Sequence, residues 1–119
     1  CNKICLSKLQ LMKLLRLILT ATGIFFLNIS YLIADEAKMA KGLEIFNETA
    51  VCAACHVLKA AGSEGNVGPN LDTVAVTTES VTDIVTNGLG VMPAVGEDEI
   101  LTKEEIEAVV YFVVNSAGK

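Results

Sequence analysis

Apolar residues recur every three or four positions in three stretches after residue 35, which is the spacing of one face of an α-helix. The first stretch predicts a helix from about residue 36 to residue 47. The second predicts a helix that begins at Thr77 or Thr78 and stops at Gly88. The apolar positions that define these two faces are Met39, Leu43, Phe46, Val81, Ile84 and Val85.

The third stretch has the clearest start signal in the chain. Thr102 is followed three residues later by Glu105, and this spacing forms a capping box in which each side chain bonds to the other residue's backbone N–H. The run from Val109 to Val114 would also suit a buried strand, because β-branched and aromatic residues favour strands. The capping box and the length of the pattern, which continues from Ile106 to Val113, favour a helix.

Long glycine-containing segments separate the helices, over residues 59–76 and 88–96, and no alternating strand pattern is present. The prediction is therefore an all-α fold of three or more short helices with long loops. Residues 35–119 contain three aromatic residues, Phe46, Tyr111 and Phe112, which is little for a core of this size. Such a domain needs a metal, a disulfide or a cofactor at its centre, and long loops usually wrap such a group.

Charge divides this 119-residue chain near residue 34. Residues 1–34 carry four basic residues and no acidic one, whereas residues 35–119 carry 14 acidic residues and five lysines, a formal charge of −9. A body this acidic excludes nucleic acid and anionic membrane surfaces as partners, because both attract basic proteins. The length supports one domain.

The basic head predicts an N-terminal targeting segment over residues 1–34 and a single domain over residues 35–119. Met12 begins a sequence that reads as a complete signal-peptide opening, so the hypothesis is that residues 1–11 are upstream translation or a fragment edge. Ala34 is the small residue expected before the cut. The alternative is a retained anchor, because 18 residues from Leu17 to Ala34, at about 1.5 Å each, approach the roughly 30 Å of a bilayer core. Polar residues within this run favour cleavage.

Residues 52–56 read Cys-Ala-Ala-Cys-His, which is the attachment signature of c-type haem. Cys52 and Cys55 are three positions apart and share one face of a helical turn, so both thiols can form thioether bonds with the vinyl edge of one porphyrin. His56, which is the single histidine of the chain, follows directly and can place an imidazole nitrogen on the iron.

Other uses of the cysteine pair are less favoured. A thioredoxin-type redox site needs a βαβ context, and a zinc site needs a fourth Cys or His ligand in the body of the chain. A disulfide across three residues would be strained. The signature also follows an export signal, and haem c is attached outside the cytoplasm, so one covalently bound haem c is the predicted cofactor.

A second axial ligand is most simply a methionine thioether, and the body offers Met39 and Met92. Met39 shares the apolar helix face, where methionine usually packs in the core. Met92 lies in a glycine-containing loop before Pro93, where the backbone can approach a haem closely, so Met92 is the favoured ligand. If Met92 were instead a mobile loop residue, the iron would be five-coordinate and open to ligands.

In these residues the chain resembles the small soluble class I cytochromes c, the single-haem bacterial and photosynthetic carriers. The resemblance covers about residues 40–117 and includes the haem motif, Gly68-Pro69-Asn70-Leu71, Met92-Pro93 and the last helix. It implies a small cytochrome c fold around one haem, in which the first and last helices cross where Gly42 and Phe46 meet Phe112, with Tyr111 a less favoured partner. It also implies that the Pro69 carbonyl accepts the imidazole N–H of His56.

The expected function is that of an exported single-haem electron carrier and not an enzyme, in the periplasm, with the thylakoid lumen or a membrane-anchored position as alternatives. Its expected partners are redox proteins with a basic docking surface, such as a cytochrome bc-type complex, an oxidase or a dehydrogenase, because acids such as Glu97, Asp98 and Glu99 follow the Met92 loop. A monomer is expected. The alternatives are an anchored cytochrome c subunit of an oxidase or dehydrogenase complex, and a peroxidase-like or gas-binding haem protein. The lack of a second histidine counts against the last alternative.

Overall fold

The computed structural model describes residues 2–96 and 100–119, and it describes side chains over residues 8–19, 34–96 and 100–119. The backbone forms two compact units, Cys1–Asp35 and Glu36–Lys119. The first helix, α1, covers Asn2–Glu44, so the predicted boundary at residue 34 falls inside it. Cleavage of the targeting segment stays a prediction. Within the described residues, no helix combines the length and the apolarity needed to span a bilayer.

The unit Glu36–Lys119 is built on helices, which confirms the predicted all-α class. After α1 the chain forms a π-helical turn over Ile45–Thr49 and a 3₁₀ turn over Cys52–Ala54. A second 3₁₀ turn covers Lys59–Ala61, between two short strands. The longer helices that follow are α2, over Thr78–Asn87, and α3, over Lys103–Ser116.

The two strands are an element that the sequence did not predict. β1 (Val57–Leu58) pairs antiparallel with β2 (Ser63–Glu64), and each contains two residues. Two residues are too few to give an alternating apolar pattern. A side chain adds to the pairing, since the Ser63 hydroxyl accepts the Leu58 N–H at 2.9 Å and donates to the Leu58 carbonyl at 3.3 Å.

Both predicted helix starts are confirmed. Thr102 accepts the Glu105 N–H and Glu105 accepts the Thr102 N–H, which is the predicted capping box, and residues 109–114 are helical. Thr77 caps α2 in the same way, with Ser80 in the place usually taken by Glu or Gln. The first helix differs from its prediction at both ends: it begins at Asn2 and not near residue 36, and it ends at Glu44, where the chain widens into the π-helical turn.

The crossing of α1 and α3 forms the centre of the core, as the resemblance implied. A Cβ atom on Gly42 would lie 2.3 Å from the Ala108 carbonyl oxygen and 2.5 Å from the Phe112 Cβ, so only glycine lets the two backbones approach this closely. Beside this contact the rings of Phe46 and Phe112 meet edge to face, with centroids 5.9 Å apart. Tyr111 is half-buried and stacks instead under Lys38, whose Nζ lies 5.3 Å from the ring centroid.

Candidate functional site

The site begins on the tight turn that holds the two cysteines. Val51 adopts a left-handed conformation (φ 52°) and starts the 3₁₀ turn of Cys52–Ala54. The Cys52 carbonyl then accepts the N–H groups of both Cys55, at 3.1 Å, and His56, at 3.0 Å. Both cysteines are free thiols, with Cys52 half-buried and Cys55 exposed. The turn therefore presents two thiols and an imidazole within five residues.

The thiol of Cys52 is held in its neutral form. Burial raises its pKa, a backbone hydrogen bond at the same residue lowers it, and the neighbouring Cys55 raises it further. Burial is the largest of these effects, because removing a thiolate from water is unfavourable. Before any cofactor is attached, this half-buried sulfur is thus a protonated thiol near neutral pH.

His56 is 9% exposed, and its orientation is fixed by one hydrogen bond. Its Nδ1 lies 2.9 Å from the Pro69 carbonyl oxygen. Because a carbonyl can only accept, Nδ1 carries the proton and Nε2 keeps the lone pair that can bind a metal. In the part of the chain that the structure describes, Nε2 has no hydrogen-bond partner, and no fully buried side-chain nitrogen or oxygen is unpaired. Nε2 therefore reaches the surface of the site.

Two glycines form a cradle around this turn. A Cβ atom on Gly68 would lie 2.5 Å from Cε1 and 2.8 Å from Nδ1 of the His56 ring. A Cβ atom on Gly65 would lie 2.6 Å from the Cys55 carbonyl carbon and 2.7 Å from the Ala53 carbonyl oxygen. The backbone of residues 65–68 thus lies directly against the cysteine turn and the imidazole.

Sequence reasoning identified these glycines only as loop residues or as part of a motif. Their spacing, three positions apart and shortly after the haem signature, is the signal that could have identified them. No pattern in one sequence says which chain segment a glycine touches, because that contact depends on the folded loop.

Met92 lies on a separate turn after α2. The backbone groups of Leu89 and Met92 bond to each other in both directions, at 3.1 and 3.0 Å, with Gly90 in the left-handed region (φ 61°) between them. Gly88 also has a positive φ (74°), and a Cβ there would lie 2.8 Å from the Met92 carbonyl oxygen. The Met92 side chain is half-buried and packs against the apolar core, as does Met39.

The structure brings together four of the five predicted site residues, Cys52, Cys55, His56 and Pro69, and it places Met92 on its own turn. Glu97, Asp98 and Glu99 lie outside the described residues, so their predicted place near the site stays a prediction. The residues around the turn fit a haem c. Two free thiols lie on one turn, the imidazole lone pair lies on Nε2, and Gly68 leaves the imidazole the space that a side chain would fill.

Comparisons with known proteins agree with this chemistry. The family described as "Cytochrome C oxidase, cbb3-type, subunit III" matches residues 37–113. Among solved structures, the c-type cytochrome SorU from Sinorhizobium meliloti is 52% identical, with a TM-score of 0.65, and the match covers 71% of this chain and 95% of the SorU chain. No curated protein matches the chain significantly. Since the family match covers more than half of the sequence, the chain belongs to this cbb3-type subunit III family of cytochrome c domains, and it is a class I c-type cytochrome whose cofactor is covalently bound haem c.

Proposed function

We propose that this protein is an exported carrier that moves one electron at a time between a membrane or periplasmic donor and a terminal acceptor such as an oxidase. The observation that carries the proposal is the 2.9 Å hydrogen bond from His56 Nδ1 to the Pro69 carbonyl, beside the two free thiols. This bond places the ring proton on Nδ1 and leaves the lone pair on Nε2, where it can bind a metal. When bound, haem c supplies an iron that alternates between the ferrous and ferric states.

Each site residue has one role in this proposal. Cys52 and Cys55 would hold haem c through thioether bonds, and His56 would bind its iron through Nε2. Pro69 orients the imidazole and makes it more basic by accepting its N–H. Met92 would supply the second iron ligand through its thioether, and the two opposed hydrogen bonds between Leu89 and Met92 fix the backbone of its turn. A His/Met pair raises the reduction potential compared with two histidines.

The attachment is tested first. The purified protein should keep its haem through denaturation and solvent extraction, and the visible spectrum of its alkaline pyridine derivative should be that of a haem with two thioether bonds. Replacing either Cys52 or Cys55 with Ala should leave a single thioether bond and shift that spectrum. If acidified organic solvent removed the haem, the haem would not be covalently bound, and this result would contradict the proposal.

The assignment of Met92 is tested with a matched pair of variants. Met92→Ala should abolish the far-red band that a bond between ferric iron and a thioether sulfur produces, and it should let the ferrous protein bind carbon monoxide. Met39→Ala is the control, because Met39 is also half-buried and packs against the same core. If Met39→Ala removes the band and Met92→Ala keeps it, the two assignments are exchanged.

The family description favours a second candidate, which is a cytochrome c subunit that stays bound to an oxidase complex. The two candidates differ in where the protein is found. A free carrier is released with the periplasmic contents when the outer envelope is opened, whereas a subunit sediments with the membranes and copurifies with haem-copper oxidase activity.

The acidic body predicts the chemistry of the partner. Residues 35–119 carry 14 acidic residues against five lysines, so we expect a basic docking surface on the donor or acceptor. Reduced protein should be oxidised by host membranes more slowly as salt is raised, because screening weakens long-range attraction. A rate that does not change with salt would assign the acidic residues to solubility alone.

A further inference from the structure

Two chain segments beside the cysteine turn are held together by a ladder of hydrogen bonds. Residues 55–59 form one side of the ladder and residues 68–72 form the other. Its four members are Gly68 N–H to the Cys55 carbonyl at 2.8 Å, His56 Nδ1 to the Pro69 carbonyl at 2.9 Å, Leu71 N–H to the Val57 carbonyl at 3.0 Å, and Lys59 N–H to Asp72 Oδ2 at 2.9 Å. The hydrogen bond of the His56 imidazole is therefore one of a series of bonds between these two segments.

Asp72 ends this ladder, and its carboxylate makes two bonds in different directions. Oδ2 accepts the Lys59 N–H at 2.9 Å, while Oδ1 accepts the Gly118 N–H at 3.1 Å, from a residue 46 positions further along the chain. The Asp72 backbone is fixed as well, because its own N–H donates to Asn70 Oδ1 at 2.9 Å. Both oxygens and the backbone amide of this residue are thus in use.

The Gly118 contact connects the ladder to the helical core. Gly118 follows the C-terminal end of α3 in a left-handed conformation (φ 72°), and a Cβ there would lie 3.4 Å from the Asp72 carbonyl oxygen. The same helix packs tightly on α1 at Gly42. Asp72 accordingly binds the loop that carries Pro69 to the helix pair, next to Leu71, which packs against the same core.

Pro69 itself contributes little to holding its carbonyl in place. Pro69 has no N–H to donate, and its side chain is exposed. At the other end of the loop Gly68 is already in contact with the His56 ring, so the loop cannot move closer there. On the other side of Pro69, movement of its carbonyl is resisted by the bond from the Leu71 N–H to the Val57 carbonyl and by the carboxylate of Asp72.

We propose that Asp72 is a positioning residue for His56. Its carboxylate binds the loop of residues 68–72 to β1 and to the end of α3, and in this way holds the Pro69 carbonyl on the imidazole Nδ1. The proposal rests on the proposed function, because it treats His56 as the iron ligand. A carbonyl that accepts from Nδ1 makes the imidazole a stronger electron donor, which favours ferric iron. Loosening the loop should therefore raise the reduction potential.

Asp72→Asn tests this on the holoprotein, because it keeps the size of the side chain but leaves one acceptor oxygen where two are needed. Amide hydrogen exchange at Lys59 or Gly118 should become about tenfold faster, as expected for the loss of one hydrogen bond to a charged group. The Nδ1–H proton resonance of His56 should move towards that of a weaker hydrogen bond, and the potential should rise. Asp83→Asn is the matched control and should change none of the three, because among the described residues the Asp83 carboxylate bonds only to the Asn87 side chain within α2.

The possible results distinguish a failure of the role proposed for Asp72 from a failure of the proposed function. If amide exchange became faster while the His56 Nδ1–H resonance and the reduction potential stayed unchanged, Asp72 would only stabilise the loop, and the positioning role would be overturned. Unchanged exchange would overturn it as well. Failure of the proposed function appears earlier, in the unsubstituted protein, as haem that is not covalently bound or iron that is not bound by His56.

A measurement on the unsubstituted holoprotein keeps the proposal open to refutation if the variant does not fold. Exchange of the Gly118 and Lys59 amides and of the His56 Nδ1–H is followed as denaturant is increased. Positioning by Asp72 requires that the three protons open together, with the same dependence on denaturant. A Gly118 amide that opens alone, while the His56 proton stays protected, would contradict it.

Discussion

Gly68→Ala should displace the His56 imidazole, and the size of the displacement follows from the structure. The added Cβ would lie 2.5 Å from Cε1 of the ring, whereas carbon atoms in contact lie about 3.5 Å apart. The ring or the loop must therefore move by roughly 1 Å. Since Nδ1 lies 2.9 Å from the Pro69 carbonyl, a shift of that size away from the carbonyl takes the pair outside hydrogen-bond range.

The cost of the substitution is that of overpacking. Inserting one methyl group into a packed site costs about 1–3 kcal/mol, and each kcal/mol lowers the melting temperature of a domain of this size by roughly 4–8 °C. The backbone itself adds no strain, because Gly68 is not among the glycines with positive φ. The whole effect should thus come from the contact with the ring.

Gly62→Ala is the informative control, because its physical situation is the reverse. Gly62 is left-handed (φ 64°), but a Cβ there would have nothing within 4 Å. It should lower stability by about 1–2 kcal/mol through backbone strain and leave the site unchanged. The assay is a thermal melt together with visible spectra and the His56 Nδ1–H resonance. If Gly68→Ala shifts only the melt, as Gly62→Ala should, the contact between Gly68 and the ring is refuted.

Two further predictions concern the core and the thiols. Gly42→Ala should destabilise the protein by about 1–3 kcal/mol in urea denaturation, because its Cβ would lie 2.3 Å from the Ala108 carbonyl oxygen. This loss should exceed the gain of about 1 kcal/mol in helix propensity. A more stable variant would refute the close crossing of α1 and α3. In the haem-free protein, iodoacetamide should modify the exposed Cys55 before the half-buried Cys52, and the rate at Cys52 should increase only in alkaline solution, because burial raises its pKa. Because the fold favours the neutral Cys52 thiol, its contribution to the stability of the haem-free protein is lost as the pH rises through the raised pKa. Peptide mapping checks the order in which the two thiols are modified, and a thermal melt at each pH checks the loss of stability.

The helices of the domain could be predicted because their signals are local. Thr102 and Glu105 are three residues apart, and the residues that determine the start of α3 and its apolar face all lie in one continuous stretch of sequence. The crossing at Gly42 and Phe112 joins residues far apart in the chain, and only the family resemblance placed them together. Physical reasoning from the residues alone predicts that Gly42 is permissive, but it does not say which helix approaches it.

The site could be predicted to a similar depth and for the same reason. The cysteine turn and His56 lie within five consecutive residues, so their chemistry is readable directly. The contacts of Gly65, Gly68 and Asp72 could not be read, because each depends on the path of the loop between β2 and α2. Asp72 in particular has no distinguishing pattern in the sequence, since its partners Lys59 and Gly118 bond through backbone N–H groups that every residue but proline has.

The local character of the cysteine turn has a consequence for how the two axial ligands are assembled. The hydrogen bonds that shape residues 52–58 come from residues 51–71 in the described part of the chain, so they close only short loops, at small entropic cost. Met92 lies 36 residues beyond His56, on a turn fixed by its own pair of backbone bonds. Within the described residues, no hydrogen bond therefore joins the structure that presents the thiols and the imidazole to the turn that presents the thioether. From this independence we expect Met92→Ala to carry as much covalent haem as the unsubstituted protein and to differ only at the second coordination position of the iron. If that variant contained little haem, the two halves of the site would have to form together.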